Sequence, residues 1–158
     1  MPKPTDITKQ KYMFTDDIKF LQKAVVFHPN QDKIFLALKR PSDAFTRPND
    51  WDLAGGNVLF GELHEDSLRE EIREETNLEV GDFAPVQIIT SYNKEKKIYF
   101  IFNGFYCQAK NDTVKISNDT VKISDEHVDF RWVNKNEFIN LKPAQYLIDL
   151  VIATFKKL

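Results

Sequence analysis

Residues 55–80 read GGNVLFGELHEDSLREEIREETNLEV, and this acidic stretch decides how the rest of the chain is interpreted. Between Glu62 and Glu79 it holds eight carboxylates against two arginines. The formal net charge of the whole chain is only −2, so the acidity is concentrated locally. Exposed like-charge pairs in a helix cost only roughly 0.2–0.5 kcal/mol each, so charge alone is compatible with a plain solvated face.

Helical spacing places some of these acids beside a buried stripe. At about 100° per residue, a helix over residues 65–77 separates a narrow inward stripe from an acidic flank. The stripe consists of Leu68, Ile72 and Thr76, and the flank consists of Glu71, Glu74 and Glu75. Glu75 lies next to the stripe, where an unpaired carboxylate is costly unless a cation or hydrogen bonds accompany it. This spacing suits a hard divalent cation such as Mg²⁺, and Gly55 and Gly56 leave the nearby backbone open.

The composition predicts one globular domain spanning residues 1–158. Hydrophobic residues make up 42% of the chain, which is enough for one sizeable core at this length. No stretch reaches the ~18 consecutive apolar residues that a membrane span requires. Residues 1–18 are interpreted as an N-terminal extension without the apolar core of a signal peptide. We therefore expect a cytoplasmic protein that does not contact a membrane.

Charge and cysteine content disfavour two classes of site. The near-neutral net charge provides no general electrostatic case for binding a nucleic acid polymer. The single cysteine, Cys107, excludes an internal disulfide and a cysteine-based zinc cluster. Because it lies in an apolar run, Cys107 is interpreted as a buried structural thiol.

Outside the acidic stretch, the apolar pattern predicts strands around one central helix. Two predicted antiparallel pairs comprise residues 21–29 with 33–40 and residues 86–93 with 97–110. The remaining elements are a loop over 41–50, a strand over 127–133 and a terminal helix over 143–158. Strands on both sides of a helix, closed by a second helix, predict an α/β (α+β) fold with a mixed sheet between helices.

One heptapeptide is duplicated. Residues 111–117 and residues 118–124 both read NDTVKIS. We interpret the repeat as a tandem duplication in a loop or strand extension, because loops accept insertions at a small cost in free energy. It carries no recognisable chemistry.

The acidic stretch resembles the Nudix box, G-x5-E-x7-R-E-U-x-E-E-x-G-U, where U is a bulky aliphatic residue. Seven of the nine specified positions match. The aligned residues are Gly56, Glu62, Glu70, Glu71, Ile72, Glu74, Glu75, Asn77 and Leu78. WDLAGG before the box and DFRWV after it also resemble family sequence, and the resemblance spans residues 20–155. The chain is therefore identified as a MutT-like member of the Nudix hydrolase family.

Two positions depart from the family pattern. Asn77 replaces the last glycine, where the chain leaves the helix in a left-handed conformation that asparagine tolerates next best. Glu70 replaces an arginine that in the family orients the following glutamate, and a carboxylate cannot donate such hydrogen bonds. Arg73, three residues later, is placed to pair with Glu70 and to limit the added repulsion.

The resemblance implies a Nudix-type α/β/α sandwich and an Mg²⁺-dependent pyrophosphohydrolase, with Mn²⁺ as a possible substitute. The implied substrate is a small-molecule nucleotide in which a nucleoside diphosphate is linked to another moiety. Water attacks phosphorus and the diphosphate linkage is cleaved. Nucleoside triphosphates, nucleotide sugars, ADP-ribose and dinucleotides remain open as substrates, and a monomer and a homodimer remain open as assemblies.

The family pattern also implies roles for individual residues. Glu71, Glu74 and Glu75 resemble the metal-binding glutamates, and Gly55 resembles a ligand that binds through its carbonyl. Glu71 and Glu74 are the candidate catalytic residues, with Glu71 as the candidate general base. Glu126 in SDEHVDFRW resembles a further metal-binding acid of MutT-type enzymes, and a surface acid is the alternative.

Residues that contact the substrate are implied less directly. Arg40 resembles a phosphate-contacting arginine, with an ordinary charge at a strand end as the alternative. Gln145 falls where such enzymes place a base-reading amide, with a helix-surface glutamine as the alternative. The aromatic residues that could stack on a base are Trp51, Tyr92 and Phe100. The histidines interpreted as structural or surface residues are His28, His64 and His127.

A second hypothesis comes from a different class of protein. A Nudix-like domain with weak catalysis could bind a nucleotide as a sensor, and Glu70 is the residue that motivates this alternative. The presence of all four box glutamates argues against it. Isopentenyl diphosphate isomerase chemistry is disfavoured, because it needs a catalytic cysteine in a different context.

Overall fold

The computed structural model describes residues 16–115 and 127–158. The strands are β1 (Asp17–Phe27), β2 (Phe35–Lys39), β3 (Trp51–Asp52), β4 (Ala54–Asn57), β5 (Ala84–Asn93), β6 (Ile98–Gln108) and β7 (Asp129–Val133). The helices are α1 (His64–Thr76), α2 (Lys135–Asn140) and α3 (Gln145–Lys157). Glu126, the whole second heptapeptide copy and the last two residues of the first copy lie outside the described residues.

The strands form one mixed sheet with the order β3-β2-β1-β6-β5, in which β4 also pairs with β1 and β7 pairs with β2. β1 and β6 run parallel over their full length, and the other pairs are antiparallel. The predicted antiparallel pairing of β5 with β6 is confirmed, as is that of β1 with β2. The parallel pairing of β1 with β6 was not predicted, because it joins segments about eighty residues apart in sequence.

The sheet buries side chains on both faces. Successive residues of a strand point to opposite faces, so Ala24 and Val26 of β1 pack with α1, whereas Val25 and Phe27 pack with α3. Each face therefore has its own apolar core, one under each long helix. The predicted fold, a mixed sheet sandwiched between helices, is confirmed.

Helix α1 buries the predicted stripe and ends as expected. Leu68, Ile72 and Thr76 are buried, so the acidic flank is set at a fixed angle to the core. The helix ends at Asn77, whose φ of 65° is left-handed and whose N–H donates to the Arg73 carbonyl. Asparagine thus fulfils the role of the family glycine.

Three further elements were not predicted from the sequence. The short strands β3 and β4 have too few residues for a strand pattern, and β4 contains the glycine pair. Helix α2 is marked by a capping box, in which Asn134 and Glu137 each accept a hydrogen bond from the other's backbone N–H.

Cys107 is buried, as expected. Burial raises the pKa of its thiol to about 12, so the thiol stays protonated at neutral pH. Within the described part of the chain, no helix is long and apolar enough to cross a membrane.

Candidate active site

A cleft of about 510 Å³ opens where α1, β1 and the loop between β2 and β3 meet. One wall is acidic and is formed by Glu71, Glu74 and Glu75. Another part of the lining, the cationic wall, is formed by Lys19, Lys23, Arg40, Arg47 and His127. Apolar side chains at the cleft are Leu21, Leu59, Phe100 and Tyr146. A cleft with opposed charges can hold a cation and an anion side by side.

Glu62, the first glutamate of the box, stabilises the loop before α1 through hydrogen bonds. Its carboxylate accepts hydrogen bonds from the Leu59 backbone N–H at 2.7 Å and from the Ser67 hydroxyl at 3.3 Å. The helix is also tied to the sheet, because Gln22 Nε2 on β1 donates to the His64 carbonyl at 2.5 Å. These contacts fix the start of α1 and hence the position of its acidic flank.

The glycine pair lets the acidic flank approach the sheet. Gly55 has a φ of 140°, and a Cβ there would collide with the Gln22 carbonyl, so only glycine fits. A Cβ on Gly56 would lie 2.8 Å from Glu71 Oε1. The missing side chain at Gly56 therefore makes room for the Glu71 carboxylate.

Two carboxylates of the acidic wall, Glu71 and Glu75, lie in surroundings that disfavour a bare negative charge. The pKa of Glu71 is raised to about 8, mainly by burial and then by the nearby carboxylates of Glu75 and Glu74. Both carboxylate oxygens of Glu75 are buried and have no hydrogen-bond partner among the described residues. A divalent cation would remove both penalties, because it favours the charged carboxylates and satisfies their oxygens.

The carboxylates of the acidic wall suit a hard divalent cation such as Mg²⁺, which takes oxygen ligands. Across residues 16–115 and 127–158, no three His, Cys, Asp or Glu side chains form a preassembled metal-binding group. Mg²⁺ usually keeps several waters and binds through one or two carboxylates together with substrate phosphates. Glu71, Glu74 and Glu75 on one wall of an open cleft match that pattern.

Gly55, predicted as a backbone ligand, is in the cleft but already has a cationic neighbour. Its carbonyl accepts a hydrogen bond from Lys23 Nζ at 3.4 Å. A carbonyl oxygen has two lone pairs, so this contact leaves one free for a metal.

The cationic wall is organised around one buried carboxylate, that of Asp52, which sequence reasoning missed. Asp52 is fully buried, and its Oδ1 accepts from the Leu53 N–H at 2.8 Å. Four cationic side chains surround Oδ2: Lys23 Nζ at 3.1 Å, Arg47 Nη2 at 3.3 Å, Arg40 Nη1 at 3.4 Å and His127 Nε2 at 3.5 Å. We call Asp52 and these four side chains the Asp52 cluster.

Within the Asp52 cluster, the attraction between opposite charges outweighs the cost of burying those charges. Burial alone would raise the pKa of Asp52, but Lys23, the hydrogen bond with His127 and the charge of Arg47 hold that pKa well below its usual value. Burial likewise opposes the charged form of Lys23, yet Asp52 and Glu75 raise the pKa of its ammonium. Both groups are therefore ionised at neutral pH.

His127 connects the two walls, although the sequence favoured a structural or surface role for it. Its Nε2 lies 3.5 Å from Asp52 Oδ2 and its Nδ1 lies 2.8 Å from Glu75 Oε2. The second contact has ion-pair distance but not the alignment of a hydrogen bond. Burial lowers the pKa of His127, but Glu75 and Asp52 outweigh it and raise that pKa to about 9.

The two predicted substrate contacts lie in different settings. Arg40 is in the cationic wall, but it is only 5% exposed and each of its guanidinium nitrogens has a protein partner. Gln145 is exposed at the start of α3, where its Nε2 donates to Asp149 Oδ1 at 2.9 Å. The residues lining the cleft include its neighbour Tyr146 but not Gln145.

Of the three aromatic candidates, only Phe100 lies at the cleft. Trp51 is buried in the core below α3, and Tyr92 is on the exposed edge strand β5, where its hydroxyl donates to Asp16 at 2.6 Å. Tyr146 packs edge-on against Phe102, with 4.9 Å between ring centroids. It is the aromatic residue at the cleft that sequence reasoning did not single out.

Glu70, the departure from the family box, points away from the cleft. Its carboxylate pairs with Arg73 one turn later, as the sequence suggested. Arg69 is engaged elsewhere, because Nη1 donates to the Val80 carbonyl at 2.6 Å and Nη2 to the Gly81 carbonyl at 3.3 Å. Neither arginine of the helix is therefore available to orient Glu71.

Replacing Glu70 by arginine should restore the orienting contact. We expect a several-fold higher kcat at saturating Mg²⁺, because an arginine can donate hydrogen bonds to the Glu71 carboxylate. We also expect a higher Mg²⁺ concentration for half-maximal rate, because a negative charge is lost near the cation. Metal titrations of both proteins measure the two effects.

The matched control for this substitution is Glu65→Arg, which makes the same charge change at an exposed position in the first turn of α1. It should raise the Mg²⁺ concentration for half-maximal rate and leave kcat unchanged. If kcat of Glu70→Arg is unchanged or lower, Glu71 does not need the family arginine, and the prediction is wrong.

The comparisons with known proteins agree with this geometry. The family model for the NUDIX domain matches residues 21–154, so the chain belongs to the Nudix family and is a hydrolase that acts on phosphorus anhydrides. Nudix hydrolases generally use a divalent metal.

Individual members of the family and proteins of similar fold can also be named. The chain is 34% identical over 140 residues to the nucleoside triphosphatase NudI of Escherichia fergusonii, a match that covers 80% of this chain and 86% of NudI. Its fold is similar to the MutT protein of Methanosarcina mazei, with a TM-score of 0.66, 22% identity and coverage of 92% and 98%. It is also similar to the NUDIX domain of Shewanella oneidensis NrtR in complex with ADP ribose, with a TM-score of 0.70, 12% identity and 99% coverage of both chains.

Proposed function

We propose that this protein is an Mg²⁺-dependent pyrophosphohydrolase of nucleoside triphosphates, with Mn²⁺ as a possible substitute. The observation that carries the proposal is a cleft lined by both an acidic wall and a cationic wall. A nucleotide polyphosphate needs cationic side chains for its oxygens and carboxylates for its accompanying metal. The similarity to NudI supports triphosphates over the other nucleotides that the Nudix resemblance left open.

In this proposal the carboxylates of α1 would hold the metal. Glu71, Glu74 and Glu75 supply the charged oxygens and Gly55 supplies a carbonyl, with Glu126 as a further candidate outside the described residues. The bound metal would shield the phosphate charge and make water a better nucleophile. Gly56 positions Glu71, and the Asp52 cluster holds Glu75 in place through His127.

Glu71 is the proposed general base, with Glu74 as the second candidate. A bound cation would favour the charged form of the Glu71 carboxylate, and that form can take up a proton from water. The oxygen of water forms the new bond to phosphorus, the bridging P–O bond breaks, and the proton of water passes to Glu71 Oε1. The bridging oxygen leaves with the departing phosphate group, whose negative charge faces the cationic wall.

A second candidate function is nucleotide binding without efficient hydrolysis. Glu70 favours it, because the residue that orients Glu71 in the family pattern is absent from this helix. The NUDIX domain of NrtR, solved with ADP ribose, is a protein of similar fold that binds a nucleotide. In such a sensor the same cleft would bind the ligand and release it unchanged.

A substrate panel separates the two candidates. The purified protein is incubated with Mg²⁺ or Mn²⁺ and with nucleoside triphosphates, nucleotide sugars, ADP-ribose and dinucleotides, and the products are identified by chromatography. Triphosphate hydrolysis that is lost with EDTA and restored by Mg²⁺ supports the proposal. Binding measured by calorimetry without turnover of any compound would favour the sensor.

A further inference from the structure

The arginine that the family resemblance implies as a phosphate contact is already occupied. Arg40 Nε donates to the Thr46 carbonyl at 2.9 Å and Nη2 donates to the Thr46 hydroxyl at 3.1 Å. Its Nη1 lies 3.4 Å from Asp52 Oδ2. Arg40 therefore holds the loop between β2 and β3 at Thr46, and a phosphate would have to displace these contacts.

The next residue of that loop, Arg47, has a donor to spare. Its Nη2 donates to Asp52 Oδ2 at 3.3 Å, and its guanidinium carbon lies 5.7 Å from the centroid of the Tyr146 ring. These contacts fix the guanidinium from two sides. Arg47 lines the cleft, and its Nη1 is buried and has no hydrogen-bond partner in the part of the chain that the structure describes. An unpaired buried donor on a charged group is costly, and a ligand oxygen would remove that cost.

Arg47 is also the most accessible member of the Asp52 cluster. Its side chain is 24% exposed, whereas the side chains of Lys23, Arg40 and His127 are at most 6% exposed. Asp52 is the carboxylate that all four cations share, and Glu75 is a second carboxylate that acts on Lys23 and His127. The cluster thus keeps an excess of positive charge, and Arg47 is where a ligand can reach it.

We propose that Arg47 is the residue that binds a non-bridging phosphate oxygen of the substrate, through Nη1, while Arg40 positions the loop that carries it. Asp52 and Tyr146 hold the guanidinium in place before the substrate arrives, so little side-chain freedom is lost on binding. The inference rests on the proposed function, since it assigns the phosphate contact within the same cleft.

Two substitutions test this assignment. Arg47→Ala removes the donor, and Arg47→Lys keeps the charge but not the planar fork that bonds Asp52 and phosphate together. The matched control is Arg131→Ala, because Arg131 also lies over an aromatic ring, Trp51 at 4.8 Å, but is exposed and outside the cleft. Thermal melting of each variant identifies any loss of folding.

Binding is measured by calorimetry with a non-hydrolysable nucleoside triphosphate analogue and, separately, with inorganic pyrophosphate, both in the presence of Mg²⁺. We expect Arg47→Ala to weaken both ligands at least about tenfold, as expected for loss of a charge-assisted hydrogen bond. Arg47→Lys should recover only part of this loss, and Arg131→Ala should bind like the wild type. Mn²⁺ binding without nucleotide, followed by electron paramagnetic resonance, should be unchanged in Arg47→Ala.

Two results would overturn the assignment. Unchanged affinity of folded Arg47→Ala for both ligands would show that Nη1 does not meet phosphate. Weaker binding of the nucleotide analogue with unchanged pyrophosphate affinity would place Arg47 at the base, through Tyr146, instead. A different result would contradict the proposed function. If the wild type binds the analogue but hydrolyses no triphosphate, the enzyme proposal is wrong. The Arg47 assignment is then still decided by the binding measurements.

Discussion

Replacing Glu75 or Glu71 by glutamine is expected to lower kcat at least about a hundredfold, without unfolding the protein. Each substitution keeps the shape of the side chain and removes a negative charge from the acidic wall. The Glu75 substitution removes a carboxylate whose buried oxygens have no hydrogen-bond donor among residues 16–115 and 127–158. The Glu71 substitution removes the proposed base. Turnover is measured at saturating Mg²⁺ on the best substrate of the panel, and folding is followed by thermal melting.

The control for these variants is Glu65→Gln, the same chemical change at an exposed position of α1. It should retain wild-type turnover, because Glu65 does not line the cleft. Binding of Mn²⁺ in the absence of substrate provides an independent measurement, and it should weaken in Glu71→Gln and Glu75→Gln only. Near-normal turnover of either of these variants, with an intact melting curve, would remove that residue from the metal site.

Replacing Asp52 by asparagine should destabilise the fold by about 3–5 kcal/mol, the range for breaking a buried ion pair by removing one partner. Asparagine preserves the volume and can still accept from the Leu53 N–H. It leaves Lys23, Arg40 and Arg47 without their shared counter-charge in a buried setting. The free energy of unfolding of both proteins is measured by urea denaturation at pH 7.

Asp129→Asn is the matched control. Asp129 accepts from the next backbone N–H, that of Phe130, at 2.8 Å, as Asp52 does from Leu53, but it is exposed. Its replacement should change stability by less than about 0.5 kcal/mol. Equal stability losses at the two positions would show that the Asp52 cluster contributes nothing beyond the local backbone contact.

The pH dependence of the Asp52 effect follows from its pKa, which is lowered well below 3.8 in the folded protein. A group with a depressed folded pKa stabilises the fold fully above its unfolded pKa and loses that contribution as the pH falls through the folded pKa. The stability difference between the wild type and Asp52→Asn should therefore not decrease from pH 7 down to about pH 5, since Asp52 stays ionised there and the raised pKa of His127 adds stability as the pH falls. It should shrink only in more acidic solution, and a difference that vanishes already near pH 6 would contradict this assignment.

Local patterns in the sequence were sufficient for the parts of the fold that depend on near neighbours. The stripe of α1 and the left-handed Asn77 follow from helical spacing and backbone sterics. The pair of Glu70 with Arg73 follows from a separation of three residues. The antiparallel pairing of β5 with β6 follows from two apolar runs joined by a short turn.

The cationic wall was missed because its contacts join distant parts of the chain. Asp52 meets Lys23 across 29 residues and His127 across 75 residues. A lysine within the apolar run FLQKAVVF was the one local signal, since a buried ammonium requires a partner, but nothing in the run identifies Asp52 as that partner. Arg40 shows the opposite kind of error. Its residue type and position suggested a phosphate contact, but each of its guanidinium nitrogens already donates to a protein oxygen.

The sequence by itself determined the family, the acidic helix and the order of most elements, because these depend on residue types at fixed spacing along one chain segment. The tertiary structure alone decided which cation keeps a free donor, how His127 links Asp52 to Glu75, and that Tyr146 faces the cleft while Gln145 does not. These properties depend on burial and on distances between segments brought together by the parallel pairing of β1 with β6 and by the packing of helices on both faces of the sheet. Free energies of charged groups change most with burial and distance, so the chemistry of the cleft was set by the packing.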